Sequence, residues 1–404
     1  MLGKVSYGGV TTPAGFRASS ANGDIKGKKA ERDDCGLIYS DVPCEMAAVF
    51  TSNVVKAAPV LYDMEVLNKG CKVSAVFANS GNANACTGAE GLKNCQKIAD
   101  VFAEGLNIKS ENVLIASTGV IGVPLPVEKI IDLKDVLIDG LADDNGINFA
   151  KAIMTTDTTV KETAVCVETK SGIITIGGCT KGAGMISPNL ATMLTFITTD
   201  ALIDKKTLQK ALNECTELTF NRVTVDGDMS TNDTVILLAN GMSGTKVTEN
   251  ENYEDFKAGL LDIMDYLARQ IALDGEGATR MITVEVKNAA NNEEARLCAS
   301  KIANSPLVKT MFAGCDPNWG RLMSSAGASG AKFNPDITDI YFNDMHYVSG
   351  GKIIDYALEE KAYNIMKEMQ YTITIDLHAG SGYAKFYTCD LTQDYIKINA
   401  DYRS

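Results

Sequence analysis

The chain's two histidines, His346 and His378, are too few to expect imidazole-based catalysis, and each lies beside strand and turn residues where a structural role suffices. It has no Gly-x-Ser-x-Gly elbow, no Gly-x-x-x-x-Gly-Lys-Ser/Thr loop and no His-Glu-x-x-His pair. A hydroxyl nucleophile would need another base, and Thr192 offers one. If the Ala191–Thr192 peptide bond breaks, Thr192 gains an α-amino group with a reference pKa of about 7.7–8.0. Nucleophile and base then belong to one residue. The residues before it suit a strained backbone path: Gly182, Gly184 and Pro188 precede a β-branched residue at a strand start. Taken alone, a threonine that opens a buried strand is a structural residue.

Other polar groups have plain readings when taken singly. Ser117-Thr118-Gly119 reads as a strand-ending turn, Lys181 as a solvated lysine in a glycine-rich loop, and Glu276 in Asp274-Gly275-Glu276-Gly277 as a turn residue. Asp226-Gly227-Asp228 imitates a paired-carboxylate or metal site. No histidine lies near it to complete a ligand set, so no metal is expected. No strand–Gly-x-Gly-x-x-Gly–helix unit suggests a dinucleotide.

The elements that must position these groups alternate along the chain. The first 35 or so residues, rich in Gly, Ser, Thr and Asp, read as including loops. Met46–Phe50, Val73–Ala78 and Val113–Ala116 read as buried strands, and Gly88–Leu106 as an amphipathic helix carrying Leu92, Cys95, Ile98, Ala99 and Phe102 on one face. A strand pair, Ala164–Val167 and Ile173–Ile176, leads into a flexible glycine-rich stretch, 177–184. Ser187-Pro188-Asn189 is a turn, and Thr192–Thr199 a buried strand. Further on, Glu254–Ile271 and Glu293–Ile302 read as helices and Met281–Val286 as a strand. Tyr341–Tyr347 and Tyr371–Leu377 read as strands flanking a helix from about Tyr356 to Met369. The order implies layered α/β structure without a simple βαβ ladder.

Bulk properties narrow the function. The 404 residues are 45% apolar and 22% charged, enough for more than one core. A net charge of −13 repels phosphate backbones, so nucleic acid is not an expected partner. The short basic cluster Lys26-Gly27-Lys28-Lys29 reads as solvated loop. No apolar run reaches the roughly 18 residues of a membrane span, and Met1–Ser6 lacks the apolar core of a leader. Eleven cysteines without a Cys-x-x-Cys pair point to reduced, mostly buried thiols in a cytoplasmic chain.

The segment Lys181-Gly182-Ala183-Gly184-Met185-Ile186-Ser187-Pro188-Asn189-Leu190-Ala191-Thr192-Met193-Leu194 closely resembles the self-processing site of ornithine acetyltransferases, the arginine-biosynthesis family also called glutamate N-acetyltransferase. The likeness continues, in order, through Ala78–Gly88, Ser117–Gly122, Thr224–Asp233, Asp316–Arg321 and Tyr395–Ser404. It implies a self-processing, N-terminal-nucleophile-like α/β enzyme, with antiparallel sheets packed between helical layers and a smaller C-terminal domain. Cleavage between Ala191 and Thr192 would give fragments 1–191 and 192–404, associated as an α2β2 heterotetramer.

The resemblance also assigns roles. Thr192 takes the acetyl group from N2-acetylornithine, releasing ornithine, and glutamate collects it as N-acetylglutamate. The oxyanion hole falls on Thr118, through its hydroxyl, and Gly119, through its backbone amide. Substrate-binding positions fall on Thr155, Lys181, Thr192, Glu276, Asn399 and Ser404, with Lys181 suited to a carboxylate and Glu276 to an ammonium. The family often ends in threonine, and Ser404 keeps the hydroxyl. No bound cofactor is implied, while acetyl-CoA stays open as a second acetyl donor. Two other classes are weighed: a self-processed N-terminal-threonine aminopeptidase or amidohydrolase, and a binding protein that never cleaves.

Overall fold

A computed structural model describes residues 2–5, 7–28, 31–188 and 193–401. They form two compact units, one of residues 1–182, 189–221 and 229–267, the other of 183–188, 222–228 and 268–404.

The first unit is built on a sheet of nine strands among the described residues. Its spine is Cys35–Phe50, a 16-residue strand whose first half pairs with Phe16–Ala21 and Val73–Asn79, and whose second half pairs with Thr234–Ala239. Val73–Asn79 and Val113–Ser117 run parallel and are buried at every residue, as expected for strands covered on both faces. The helix Gly88–Leu106 connects them with the bounds its periodicity predicts. It packs through Phe102, which stacks on Phe77 with ring centroids 5.1 Å apart. Cys95, Ile98 and Ala99 share that buried face, whereas Leu92 is exposed.

On the other side of Thr234–Ala239 lie Leu194–Thr199, Ile173–Lys181, Lys161–Glu168 and Leu2–Val5, in that order. Leu194–Thr199 runs parallel to Thr234–Ala239 and antiparallel to Ile173–Lys181. The strand pairs of this sheet are thus mainly antiparallel, with two parallel exceptions. The predicted strand from Thr192 begins at Leu194 among the described residues.

One expectation changes here. The glycine-rich stretch from 177 is strand as far as Lys181, not flexible loop. Glycine is needed there for close approach: a Cβ on Gly177 would overlap the carbonyl oxygen of Gly9. The N-terminal region has loops, and it also contains the strands Leu2–Val5 and Phe16–Ala21. Short helices Val127–Ile131, Lys134–Asp139 and Gly146–Ala152, and the longer Lys205–Leu218, escape the sequence reading.

The second unit holds a six-stranded sheet among the described residues. Met281–Ala289 lies between Gln370–Asp376, to which it is parallel, and Gly382–Cys389, to which it is antiparallel. Helices Asn292–Ala303, Pro306–Ala313 and Trp319–Gly327 start at side-chain caps. Asn291 accepts the N–H of Glu294, Ser305 that of Val308, and Asn318 that of Arg321. The single strand expected over 341–347 is a hairpin, Asp339–Phe342 with Met345–Ser349. Asn343 adopts φ 49° in its two-residue turn. The expected helix 356–369 is a 3-10 turn, Tyr356–Leu358, followed by the helix Glu359–Met366. All eleven cysteines are unpaired, eight of them buried. Among the described residues, no helix is long and apolar enough to cross a membrane.

Candidate active site

Thr118 and Gly119 follow directly on the buried strand Val113–Ser117. Thr118 donates its N–H to the Asn79 carbonyl at 3.0 Å, and Val120 donates to that of Gly81 at 3.3 Å. The Asn79 side chain accepts from the Ser117 hydroxyl at 2.7 Å and donates to the Asn82 carbonyl at 2.9 Å. The segment 79–84 thereby acts as a cradle for the turn. Gly119 has φ +132°, and a Cβ there would lie 2.6 Å from the Asn82 nitrogen and overlap the Gly81 carbonyl carbon. Only glycine fits.

Lys181 ends the strand Ile173–Lys181 opposite Leu194, two residues beyond Thr192 in sequence. Its side chain is buried, and Nζ approaches the Thr118 hydroxyl oxygen at 3.5 Å. With the ammonium donating toward Oγ1, the Thr118 hydroxyl hydrogen is left to serve another acceptor. A hydroxyl, a backbone amide on a glycine turn and a buried cation are the kinds of donor that can stabilise an acyl-transfer oxyanion.

Asp157 organises the same neighbourhood. Its carboxylate accepts the N–H of Thr155 at 3.0 Å, the N–H of Gly182 at 2.7 Å and the Lys161 ammonium at 2.7 Å. Burial opposes its charge, but Lys181 and Lys161 outweigh that and hold the carboxyl well below the usual carboxylate range. Thr155, half-buried, is thus tied to the Lys181–Gly182 corner through one carboxylate. Sequence reasoning missed Asp157; its one visible signal is a lone acid within Thr155-Thr156-Asp157-Thr158-Thr159.

In the second unit, Glu276 and Asn399 meet. Glu276 is buried, its N–H donates to the Ala183 carbonyl at 2.8 Å, and its Oε2 accepts from Asn399 Nδ2 at 2.7 Å. Asn399 lies on the exposed helix Gln393–Ala400. Thr392 caps that helix and also donates its hydroxyl to the Gly277 carbonyl at 2.6 Å. Asp226 accepts the N–H groups of Met185 at 2.7 Å, Ile186 at 2.9 Å and Asp228 at 3.1 Å, and the Tyr395 hydroxyl at 3.2 Å. Its oxygens are committed to main-chain positioning. Among the described residues, no group of three His, Cys, Asp or Glu is arranged to hold a metal ion. Ala191, Thr192 and Ser404 lie outside the described residues.

Donors of this kind in a layered α/β framework suit acyl-transfer chemistry. The ArgJ family model matches residues 17–404. The arginine biosynthesis bifunctional protein ArgJ of Symbiobacterium thermophilum is 45% identical over 399 residues, covering 98% of this chain and 99% of that protein. Among solved structures, the arginine biosynthesis bifunctional protein ArgJ of Bacillus halodurans is 42% identical, covering 50% of this chain and 96% of its own, with a TM-score of 0.49. Ornithine acetyltransferase of Mycobacterium tuberculosis, solved with ornithine, is 35% identical, covering 48% of this chain and 100% of its own, with a TM-score of 0.43. The chain belongs to the ArgJ family. It is an acyltransferase enzyme.

Proposed function

We propose that the chain cleaves itself between Ala191 and Thr192, and that Thr192 then carries an acetyl group from N2-acetylornithine to glutamate. The observation that supports this most directly is the buried approach of Lys181 to Thr118, beside the Gly119 turn, with Lys181 paired to Leu194 two residues past Thr192 in sequence. The free α-amine of Thr192 accepts the hydroxyl proton as Oγ attacks the acetyl carbonyl. Thr118 Oγ1–H and Gly119 N–H receive the oxyanion, and Lys181 adds positive charge. Collapse releases ornithine and leaves acetyl-Thr192, which glutamate discharges by the reverse path.

By the family resemblance the substrate-binding positions are Thr155, Lys181, Glu276, Asn399 and Ser404, with Lys181 suited to a carboxylate and Glu276 to an ammonium. Nucleophile and base come from one residue, so the reading needs no bound cofactor. Acetyl-CoA serves as a second donor to the same nucleophile. The working species is a cytoplasmic α2β2 heterotetramer of fragments 1–191 and 192–404.

Sheet pairing supports fragments that stay together. Ile173–Lys181 and Leu194–Thr199 are hydrogen-bonded from Ile176↔Thr199 to Lys181↔Leu194, and Cys35–Phe50 pairs with Thr234–Ala239. Purified protein should give two bands on a denaturing gel, the smaller-numbered residue of one fragment being Thr192 by N-terminal sequencing. Initial rates with N2-acetylornithine and glutamate should give parallel reciprocal lines. Intersecting lines, or acetate release that ignores glutamate, would contradict the transferase reading, the second favouring a hydrolase. Replacing N2-acetylornithine by acetyl-CoA tests the second donor.

A further inference from the structure

Asn232 and Asp233 close the segment Thr224–Asp233, and the proposed acetyl-transfer steps use neither. Asn232 is buried, and its Nδ2 donates to the carbonyls of Ser117 at 2.8 Å and Ala83 at 2.7 Å, bracing the turn that carries Thr118 and Gly119. Asp233, fully buried, accepts the Met193 N–H through Oδ1 at 3.1 Å, while its backbone carbonyl accepts the Thr51 N–H at 2.9 Å. Its other carboxyl oxygen, Oδ2, is buried and takes no hydrogen bond among the described residues.

A buried carboxylate oxygen left without a donor is costly, whereas a carboxylic acid can use that oxygen as a donor of its own. Burial pushes the Asp233 carboxyl well above the usual range, opposed only in part by the Met193 N–H, the charge of Lys181 and the hydroxyls of Thr51 and Ser230. A protonated Asp233 can therefore donate from Oδ2. The nitrogen of Met193, which it binds, is joined to the nitrogen of Thr192 through only two carbon atoms.

We propose that Asp233 gives a proton to the Thr192 nitrogen as the Ala191–Thr192 bond breaks and takes up the proton lost by the Thr192 hydroxyl. The inference rests on the reading of Thr192 as the cleaving nucleophile. Thr192 Oγ bonds to the Ala191 carbonyl carbon, the carbon–nitrogen bond breaks, and the nitrogen leaves as an amine protonated from Asp233. The Oγ proton restores the Asp233 acid, so the step is an isomerisation from amide to ester. Water then adds to the ester, freeing the Ala191 carboxyl group and the Thr192 hydroxyl. The conversion needs no other reactant.

The test follows cleavage of freshly synthesised full-length chain on denaturing gels. Asp233→Asn keeps an oxygen for the Met193 N–H and removes the acid. It should cleave about 10²-fold or more slower, the usual contribution of general acid catalysis, and should melt like the uncleaved Thr192→Ala chain. Wild-type cleavage should hold its rate at low pH and slow as pH rises past the ionisation of Asp233, a limb that Asp233→Asn lacks. Cleavage of Asp233→Asn at the wild-type rate would overturn the proposal while an uncut Thr192→Ala leaves the nucleophile in place. Cutting of Thr192→Ala would remove both. If Asp233→Asn does not fold, the wild-type profile decides: a rate that only climbs with pH overturns the proposal.

Discussion

Asp157 accepts the backbone N–H of Gly182 through Oδ1 at 2.7 Å, which fixes the point where the chain leaves the strand Ile173–Lys181. The same oxygen takes the Lys161 ammonium at 2.7 Å, both side chains being wholly buried. One carboxylate therefore sets the position of Lys181's neighbour and neutralises a buried cation. Removing its charge takes from Lys161 the carboxylate that its ammonium binds at 2.7 Å.

Asp157→Asn should accordingly lower stability by about 3–5 kcal/mol, the usual effect of breaking a buried pair from one side. The wild type should show the matching pH dependence. Folded Asp157 ionises below its unfolded value, so its contribution is complete above the ordinary aspartate value of about 3.9 and is lost as pH falls through the lower folded value. Urea unfolding of both chains at neutral and acid pH checks this. The gap between them should be wide at neutral pH and narrow in acid.

Thr118→Ala removes the hydroxyl proposed as an oxyanion donor and leaves the Asn79–Thr118 backbone bond in place. Turnover of processed enzyme should fall about 10²–10³-fold, or about 2.7–4 kcal/mol. Thr118→Ser should recover most of it. Because the same donor can serve cleavage, the fraction processed is measured first, and kcat is referred to that fraction.

Glu276→Gln keeps an oxygen for Asn399 and loses the charge. A charge-assisted bond to the donor's ammonium is worth about 1.5–3 kcal/mol. kcat/KM for N2-acetylornithine should therefore fall by about 10- to 150-fold, while acetylation of glutamate from acetyl-CoA, which brings no ornithine ammonium, should fall much less. Equal losses with both donors would assign Glu276 a purely structural role.

His378 reports on the second unit independently of the site. Its Nε2 lies 2.9 Å from Asp339 Oδ2, and that hydrogen bond raises its pKa against an opposing effect of burial. Folded His378 thus holds its proton more tightly than the unfolded chain. The stabilisation is complete below the ordinary histidine value of about 6.5 and is lost as pH rises through the folded value. Melting temperatures of wild type and His378→Gln should differ in mild acid and converge in mild alkali.

Where apolar periodicity is strong, the fold is legible in the sequence. Gly88–Leu106 has its predicted bounds, and Val73–Asn79 and Val113–Ser117 extend their predicted cores by one residue each. Glycine hides structure, because it carries no periodicity. Residues 177–181 read as loop although Gly177 is a strand residue pressed against Gly9, a contact 168 positions away in sequence. Both histidines have contacts within the second unit: His378 bonds Asp339, and His346 stacks on Tyr341 with centroids 4.4 Å apart. Individual polar partners are the least legible. Asp157 meets Gly182 across 25 positions and Asn232 meets Ser117 across 115, and no local pattern encodes either pairing.

The central claim is the covalent acetyl-Thr192 intermediate, and intact-mass spectrometry tests it most directly. Processed enzyme is mixed with N2-acetylornithine alone, quenched in acid, and its fragments weighed. The fragment beginning at Thr192 should gain one acetyl group, carried on Thr192 itself in fragmentation spectra, and should lose it when glutamate is added before the quench. A fragment that stays unmodified while the same preparation transfers acetyl to glutamate would contradict the claim and require direct transfer between two bound substrates.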